Sequence, residues 1–326
     1  MSNLTKRINK RIKMTKASWK SDIQFSRRYA RLRVMDELGG RLGLKKISQS
    51  AHRKKEEYII SYLKEELEPL IEEYKGIEEY GVKADNAPIW VCWWTGLDDA
   101  PALVQQCVKS IYKESQNHPV HILTQDNITE YIEIPEYFIE KVQKGTMGLA
   151  HLADYIRVSV LNQYGGLWLD GTIFCSDTIP EWYFELPFFT CKSEYRESKY
   201  LSHYQWVTFC IGGWKGNVFY SFLKRAFEVY WSQNDTAIDY LFFDYLIFIG
   251  KEQIPSIKML MDSVPLNTPH RDDLQAAFNA CLPAEDFDNQ LHQDTPINKL
   301  SWRETYAEET SDGKQSIYGY FLSLEI

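Results

Sequence analysis

The sequence lacks the features that mark zinc-finger, secreted and membrane-spanning proteins. Its six cysteines form no Cys-X-X-Cys pair and no Cys/His cluster with the spacing of a zinc site. No apolar run approaches the roughly 18 residues that cross a bilayer. The N-terminus lacks the apolar core of a signal peptide. We therefore expect buried free thiols and a cytoplasmic protein, with peripheral attachment to the inner face of the plasma membrane as a further option.

Acidic residues are scarce in the first 55 positions and abundant after them. The net charge of the chain is −8, yet residues 1–55 hold 17 Lys and Arg against three acidic residues. This arm carries +14 and leaves −22 for the rest of the chain. A basic arm on an acidic body indicates a charged partner. Nucleic acid is not the expected partner, because no nucleic-acid-binding module accompanies the charge.

The basic arm contains a predicted helix over residues 25–38. Apolar side chains recur there at helical spacing among arginines, at Phe25, Tyr29, Leu32 and Met35. This pattern is typical of a helix that lies on an anionic membrane surface. Two alternatives stay open: the helix packs on the acidic body of the same chain, or the arm only aids solubility.

After the basic arm the pattern changes twice. Residues 56–80 form an acidic amphipathic helical region, and residues 81–88 are typical of a linker. From residue 89 onward, short apolar strands alternate with helices, which favours a mostly parallel sheet. We therefore predict two parts: residues 1–88 as a basic and then acidic helical N-terminal region, and residues 89–326 as an α/β domain.

The most informative stretch is residues 153–174, ADYIRVSVLNQYGGLWLDGTIF. Asp154 and Arg157 lie one turn apart on a predicted helix, which a Gly-Gly pair ends. A short apolar strand follows and delivers Asp170 at its tip. Open α/β sheets bind ligands at the carboxyl ends of their strands. Asp170 is therefore the leading candidate for an active-site carboxylate, although it could simply cap a turn with Gly171.

Other candidate residues carry weaker signals. Asp239 and Asp244 fall in a predicted helix over residues 236–250, about 140° apart, so they cannot form one carboxylate pair. A carboxylate on an apolar helix needs a partner, and Asp244 could be a catalytic base or a structural hydrogen-bonding group. The glycines of the 211–217 stretch could border an acceptor or form a plain turn.

The central stretch resembles the sugar-nucleotide glycosyltransferases of the GT-A fold, which carry an Asp-X-Asp type motif. Those include the initiating mannosyltransferases of yeast glycans and the clostridial glucosylating toxins. The chain is more closely similar to the bacterial capsular polysaccharide synthesis protein family. That similarity rests also on IWVCWWTGLDDAPALVQQCVKSI at 89–111, DYLFFDYLIFIG at 239–250, IPSIKMLMDSVP at 254–265 and KLSWR at 299–303.

The resemblance implies a fold and a reaction. The fold would be α/β and GT-A-like, with a mostly parallel sheet flanked by helices and an N-terminal helical extension. The reaction would move a sugar from a nucleoside-diphosphate sugar, with UDP-sugar as the first choice, to a hydroxyl of a growing, lipid-linked surface glycan.

Individual roles follow from the resemblance. Asp154 and Arg157 would contact the donor sugar, ribose or diphosphate, and Trp168 would flank a ring of the donor. Lys299 would contact the diphosphate, whose charge must be stabilised as it leaves. The nucleotide base would lie near Trp94, Thr95 and Asp126. Core packing explains one of the neighbouring tryptophans at 93 and 94 equally well, because strand side chains alternate.

Metal binding is the least regular part of the pattern. Asp170 matches the first Asp of the motif, but Thr172 stands where a second Asp is expected. A neutral hydroxyl is a poor ligand for Mg²⁺ or Mn²⁺. The resemblance implies a divalent cation held by Asp170 with phosphate and water, or completed by His292, which could also be a surface histidine. Thr172 also favours a competing hypothesis, a non-catalytic nucleotide-sugar- or glycan-binding subunit of a synthesis complex.

Overall fold

A five-stranded sheet forms the centre of the computed structural model, which describes Trp19 and residues 22–326. The strands of this sheet are β1 (Ile89–Cys92), β2 (Val120–Leu123), β3 (Gly166–Leu169), β5 (Phe188–Thr190) and β6 (Cys210–Gly213). A second sheet pairs β4 (Ile173–Cys175) with β7 (Ile297–Lys299).

The strand order of the main sheet is β2-β1-β3-β6-β5. Strand β1 pairs in parallel with β2 and β3, and β6 pairs antiparallel with β3 and β5. Four strands therefore run in one direction and only β6 opposes them. This arrangement confirms the predicted α/β class with a mostly parallel sheet. It also brings the carboxyl ends of β1 and β3 to the same edge, where ligand sites form.

Helices cover both faces of the main sheet, so its strands are buried on both sides. Trp90 and Trp168 point into one core, whereas Ile89, Val91 and Leu167 point into the other, as strand alternation requires. The helices are α1 (Arg27–Arg41), α2 (Lys45–Glu66), α3 (Glu68–Tyr74), α4 (Ala102–Glu114), α5 (Glu136–Gln143), α6 (Leu149–Tyr164), α7 (Trp182–Glu185), α8 (Val218–Gln233), α9 (Phe242–Gln253), α10 (Pro255–Ser263), α11 (Asp273–Ala280) and α12 (Ile317–Ser323).

Helices α1 and α2 form an antiparallel hairpin on the body of the protein. Tyr29 stacks on Tyr58 of α2, and its hydroxyl donates to the carbonyl of Ile238. Phe25 and Leu32 also turn inward, whereas Met35 is 49% exposed. Most of the predicted membrane-facing stripe is therefore used in packing on the chain itself. These helices share a core with the α/β part, and the division at residue 88 stays a prediction.

Two local predictions were wrong. Helix α9 begins at Phe242 and not near residue 236, because the Asp239 carboxylate accepts the N–H of Leu241 in a turn before the helix, at 3.0 Å. Gly212 and Gly213 form neither an acceptor loop nor a plain turn, since they lie in β6. A Cβ on Gly212 would stand 2.6 Å from the carbonyl oxygen of Gly166, so the close approach is to the neighbouring strand.

The six cysteines are free thiols, as predicted, and four of them are buried.

Candidate functional site

A cavity of about 460 Å³ opens where β1 and β3 end. Helix α6, the turn before β4, the end of β7 with the segment that follows it, and the start of α9 supply its other walls. Its polar and aromatic lining residues are Trp93, Asp154, Arg157, Trp168, Asp170, Thr172, Thr208, Tyr240, Phe243, Asp244, Lys299, Ser301, Trp302 and Arg303.

Asp170 is the most heavily bonded carboxylate of this cavity. Its Oδ1 accepts from Arg157 Nη2 and from Trp168 Nε1, each at 3.0 Å, and its Oδ2 accepts from Lys299 Nζ at 3.2 Å. Burial alone would raise the pKa of Asp170, but Lys299 and then Arg157 act in the opposite sense and hold it below the ordinary value. Asp170 is therefore ionised at neutral pH and fixed in position.

Arg157 joins two carboxylates. Its Nη1 donates to Asp154 Oδ1 at 3.1 Å, while its guanidinium carbon lies 4.9 Å from the ring centroid of Trp168. The guanidinium group of Arg157 is thus held by ion pairs with two carboxylates and by the face of the Trp168 ring. Its Nε is buried and has no hydrogen-bond partner within the described part of the chain.

The pKa of Asp154 is shifted in the opposite direction to the pKa of Asp170. Burial raises the pKa of Asp154 to about 7 even though Arg157 lowers it, and the nearby charges of Asp170 and Asp244 raise it further. Near neutral pH this carboxyl exists in both protonation states. The helix turn that separates Asp154 from Arg157 and the strand that carries Asp170 were both visible in the sequence, and the structure does bring the three side chains together.

Lys299 reaches the site from the second sheet. The backbone of Lys299 pairs with that of Ile173 across the β4–β7 ladder. The Nζ of Lys299 donates to Thr172 Oγ1 at 2.6 Å and also to Asp170. The ammonium therefore lies between the two positions of the Asp-X-Thr motif. Sequence reasoning assigned Lys299 to the diphosphate but missed its contact with Thr172.

These contacts do not suit the Mg²⁺ or Mn²⁺ ion expected at the motif. Asp170 and Thr172 offer one carboxylate and one hydroxyl, and Lys299 is bonded to both. A divalent ion would have to displace that ammonium and would gain only a weak hydroxyl ligand in return. The donor set at Asp170 does not fit Mg²⁺ or Mn²⁺, since a positive group of the chain itself already occupies the place.

His292 lies beside the carboxylate of Asp273 and not beside that of Asp170. Asp273 Oδ2 is 2.9 Å from His270 Nδ1 and 3.4 Å from His292 Nε2. The two imidazole rings stack with centroids 3.9 Å apart, and one ligand atom from each of the three residues lies within 4.8 Å of the others. Two histidines and a carboxylate suit a transition metal such as Zn²⁺. None of the three lines the cavity of Asp170.

Asp244 lines the same cavity from the first turn of α9. Trp206 Nε1 donates to its Oδ1 at 2.9 Å. Burial raises the pKa of Asp244 to about 6, although the Trp206 hydrogen bond and then Arg157 lower it. A carboxylate with this pKa can accept a proton near neutral pH.

None of the three residues expected around the base lines the cavity. Thr95 and Asp126 are exposed, and Trp94 packs against the core on the α6 side of the sheet. Trp93 lines the cavity instead, with its ring edge-to-face to Trp302 at 5.8 Å. The two tryptophans follow the end of β1 at Cys92 and pack against different cores, and only the assembled fold reveals which of them borders the cavity.

Comparison with known proteins identifies the family. The family model described as capsular polysaccharide synthesis protein matches residues 41–321, a range that includes every residue lining the cavity. No curated protein and no solved structure matches the chain.

Proposed function

Because the chain belongs to the capsular polysaccharide synthesis protein family, we propose that it transfers a sugar from a nucleoside-diphosphate sugar, UDP-sugar first, to a hydroxyl of a growing surface polysaccharide. One observation carries this proposal. An ionised carboxylate at a strand tip, Asp170, shares one cavity with the cations Arg157, Lys299 and Arg303 and with a proton-accepting carboxylate, Asp244.

The cations would serve the donor. A nucleoside diphosphate gains negative charge as it leaves, and fixed positive groups in a partly closed cavity stabilise that charge. Lys299 and Arg157 are held in place by Asp170, so they need no rearrangement when the charge develops. Trp93 and Trp302 offer aromatic surface for the base or a sugar ring, with Trp94, Thr95 and Asp126 beside them as the proposed surroundings of the base.

Asp244 would serve the acceptor. In the proposed step the oxygen of an acceptor hydroxyl bonds to the anomeric carbon of the donor sugar. The bond from that carbon to the phosphate oxygen breaks, and its electron pair leaves with the nucleoside diphosphate. The proton of the hydroxyl passes to the Asp244 carboxylate, which burial keeps basic enough to accept it.

We propose that His270, Asp273 and His292 hold a divalent transition metal such as Zn²⁺, in place of the Mg²⁺ or Mn²⁺ expected at Asp170. Calorimetric titration with Zn²⁺ tests this assignment. The wild type should bind one ion and His292→Ala should not, whereas His118→Ala, which removes a histidine paired with Glu181 elsewhere, should bind as the wild type does. Equal binding by His292→Ala would contradict it.

Membrane contact, if the acceptor is lipid-linked, is assigned to the tip of the α1–α2 hairpin. Leu38, Leu42 and Leu44 are 46%, 70% and 47% exposed there, beside the exposed cations Arg41 and Lys45. Apolar side chains ringed by cations suit an anionic lipid surface. Within the described residues, no helix has the length and apolar character needed to cross a bilayer.

Vesicle flotation tests this surface. Leu42→Asp should weaken binding to vesicles that contain anionic lipid by about tenfold, given the free energy of burying a leucine. Val82→Asp, at a side chain that is 61% exposed elsewhere, should leave binding unchanged. Equal flotation of both variants would contradict the assignment.

A non-catalytic nucleotide-sugar- or glycan-binding subunit is the second candidate, and Thr172 is the residue that favours it. Incubation with UDP-, GDP- and CDP-sugars, with and without Mn²⁺, separates the two candidates. A transferase should release nucleoside diphosphate from one donor, and Asp170→Asn should abolish the release while the exposed Asp312→Asn should not. Donor binding without any release by wild type would favour the binding subunit.

A further inference from the structure

A second cavity, of about 320 Å³, adjoins the first. The two cavities share Thr208, Leu241 and Asp244. Molecules bound on the two sides would therefore meet at Asp244, whose carboxylate borders both.

The walls of the second cavity suit a carbohydrate. Tyr200, Tyr204 and Trp206 supply aromatic surface, while Asp244 and Arg271 supply polar groups. Aromatic surface with a few fixed polar groups is the usual construction of a small-molecule site. Trp206 is 3% exposed and is bonded to Asp244, so the aromatic wall and the proton acceptor are held as one unit.

Arg271 is fixed as firmly as the aromatic wall. It is 4% exposed, and its Nη1 donates to Ser193 Oγ at 2.7 Å. The carbonyl of Arg271 also accepts the backbone N–H of Lys299 at 2.8 Å. The second cavity is thereby tied to the strand that delivers Lys299 to the first.

The loop that forms this wall has an unusual backbone. His203 and Tyr204 are consecutive non-glycine residues with φ of 44° and 66°. The carbonyl of Tyr204 accepts the N–H of Ser193 at 2.9 Å, and Gln205 Nε2 donates to the carbonyl of Ser193 at 2.8 Å. Strained backbone that neighbouring contacts hold in place is concentrated at functional sites.

We propose that the second cavity binds the terminal sugar of the glycan acceptor and presents one of its hydroxyls to Asp244. This inference rests on the proposed function of the first cavity as the donor site. The sequence had suggested that Gly212 and Gly213 border the acceptor, but these glycines of β6 are buried against β3. The second cavity takes their place as the proposed acceptor site.

Three tyrosines allow a matched test. Tyr200 is 46% exposed and lines only the second cavity, Tyr240 is 64% exposed and lines only the first, and Tyr195 is 58% exposed and lines neither. Each is replaced by Ala, which at these exposures should leave the fold intact. Saturation-transfer NMR then measures binding of methyl α- and β-hexopyranosides of glucose, galactose and mannose, and calorimetry measures binding of UDP-sugars.

At least one hexoside should bind the wild type. Tyr200→Ala should weaken that binding about fivefold, the size expected when one aromatic contact is lost. Tyr240→Ala and Tyr195→Ala should stay within about twofold of the wild type for the hexoside, by the same reasoning. Absence of hexoside binding, or equal binding by wild type and Tyr200→Ala, would overturn the inference.

Failure of this inference differs from failure of the proposed function. If a UDP-sugar binds and is hydrolysed in an Asp170-dependent way while no hexoside binds, the donor proposal holds and the acceptor assignment is wrong. If hexoside binding depends on Tyr200 while no nucleotide sugar binds, the second cavity is a glycan site and the donor proposal is wrong.

Discussion

The main cavity is bordered by Asp170 where β3 ends and by Asp244 where α9 begins. The pKa values of these two carboxyl groups are shifted in opposite directions. At one end Lys299 and Arg157 outweigh burial and keep the pKa of Asp170 below its ordinary value. At the other end Asp244 has an indole partner, and burial raises its pKa to about 6. Two carboxylates whose environments separate their pKa values are the mark of divided roles. We therefore propose that Asp170 fixes the cations and that Asp244 accepts a proton.

The largest expected effect on activity comes from replacing Asp244. Asp244→Asn keeps an acceptor for Trp206 but cannot take a proton, so kcat should fall by about 10²–10⁴, the usual contribution of a general base. The folded-state pKa of Asp244 lies above its ordinary value, so ionisation destabilises the fold as pH rises through about 6. Asp244→Asn should therefore raise Tm at pH 8.

Activity and calorimetry on the same preparation measure both effects. Asp312→Asn, an exposed aspartate outside the cavity, should change neither quantity. A lower Tm with unchanged kcat would assign Asp244 a structural role.

The pH profile of the wild type sharpens the comparison further. Below about pH 6 the rate should fall, approaching about tenfold per unit, as Asp244 becomes protonated. The Asp239 charge raises the pKa of Asp244 and Arg157 lowers it, so Asp239→Asn should move the acid limb to lower pH. Asp154, whose pKa burial raises to about 7, contributes to the same macroscopic profile. An acid limb that persists in the residual activity of Asp244→Asn would point to Asp154 instead.

A smaller effect is expected from restoring the missing carboxylate at the Asp170 end. Thr172→Asp places a second carboxylate beside Lys299 and offers a divalent ion the ligand it now lacks. Activity of this variant should rise about fivefold with Mn²⁺, a modest gain because Lys299 still competes for the position. Thr172→Ser, which keeps the hydroxyl, should behave as the wild type. Loss of activity in EDTA by His292→Ala, which lacks the proposed metal site at His270 and Asp273, would contradict the interpretation that the Asp170 end works without a metal.

Local sequence patterns predicted the Asp170 end well. The helix, the glycine break and the strand over residues 153–170 are contiguous, so their side chains meet once these elements form. Lys299 meets Thr172 only because β7 pairs with β4, which lies more than 120 residues earlier, and no local pattern reports such a pairing.

Other parts depended on tertiary packing. Three of the four apolar residues of the predicted stripe lie on α1, whereas Phe25 lies in the turn before it. The target of the stripe could not be inferred, because Tyr58 and Tyr62 on α2 compete with a lipid surface for the same side chains. Helix α9 does not begin earlier, because the Asp239 carboxylate accepts the N–H of Leu241 in a turn before the helix. Helical periodicity in the sequence does not report such a turn.

The most direct test of the central claim is calorimetric binding of UDP-sugar, in EDTA, to the wild type and to Lys299→Met. If Lys299 supplies the positive charge for the diphosphate, the wild type binds without metal and Lys299→Met loses about tenfold to a hundredfold in affinity, as for a partly buried charged hydrogen bond. Lys314→Met, at an exposed surface pair, should bind as the wild type does. Binding that requires Mn²⁺ and is indifferent to Lys299→Met would contradict the claim.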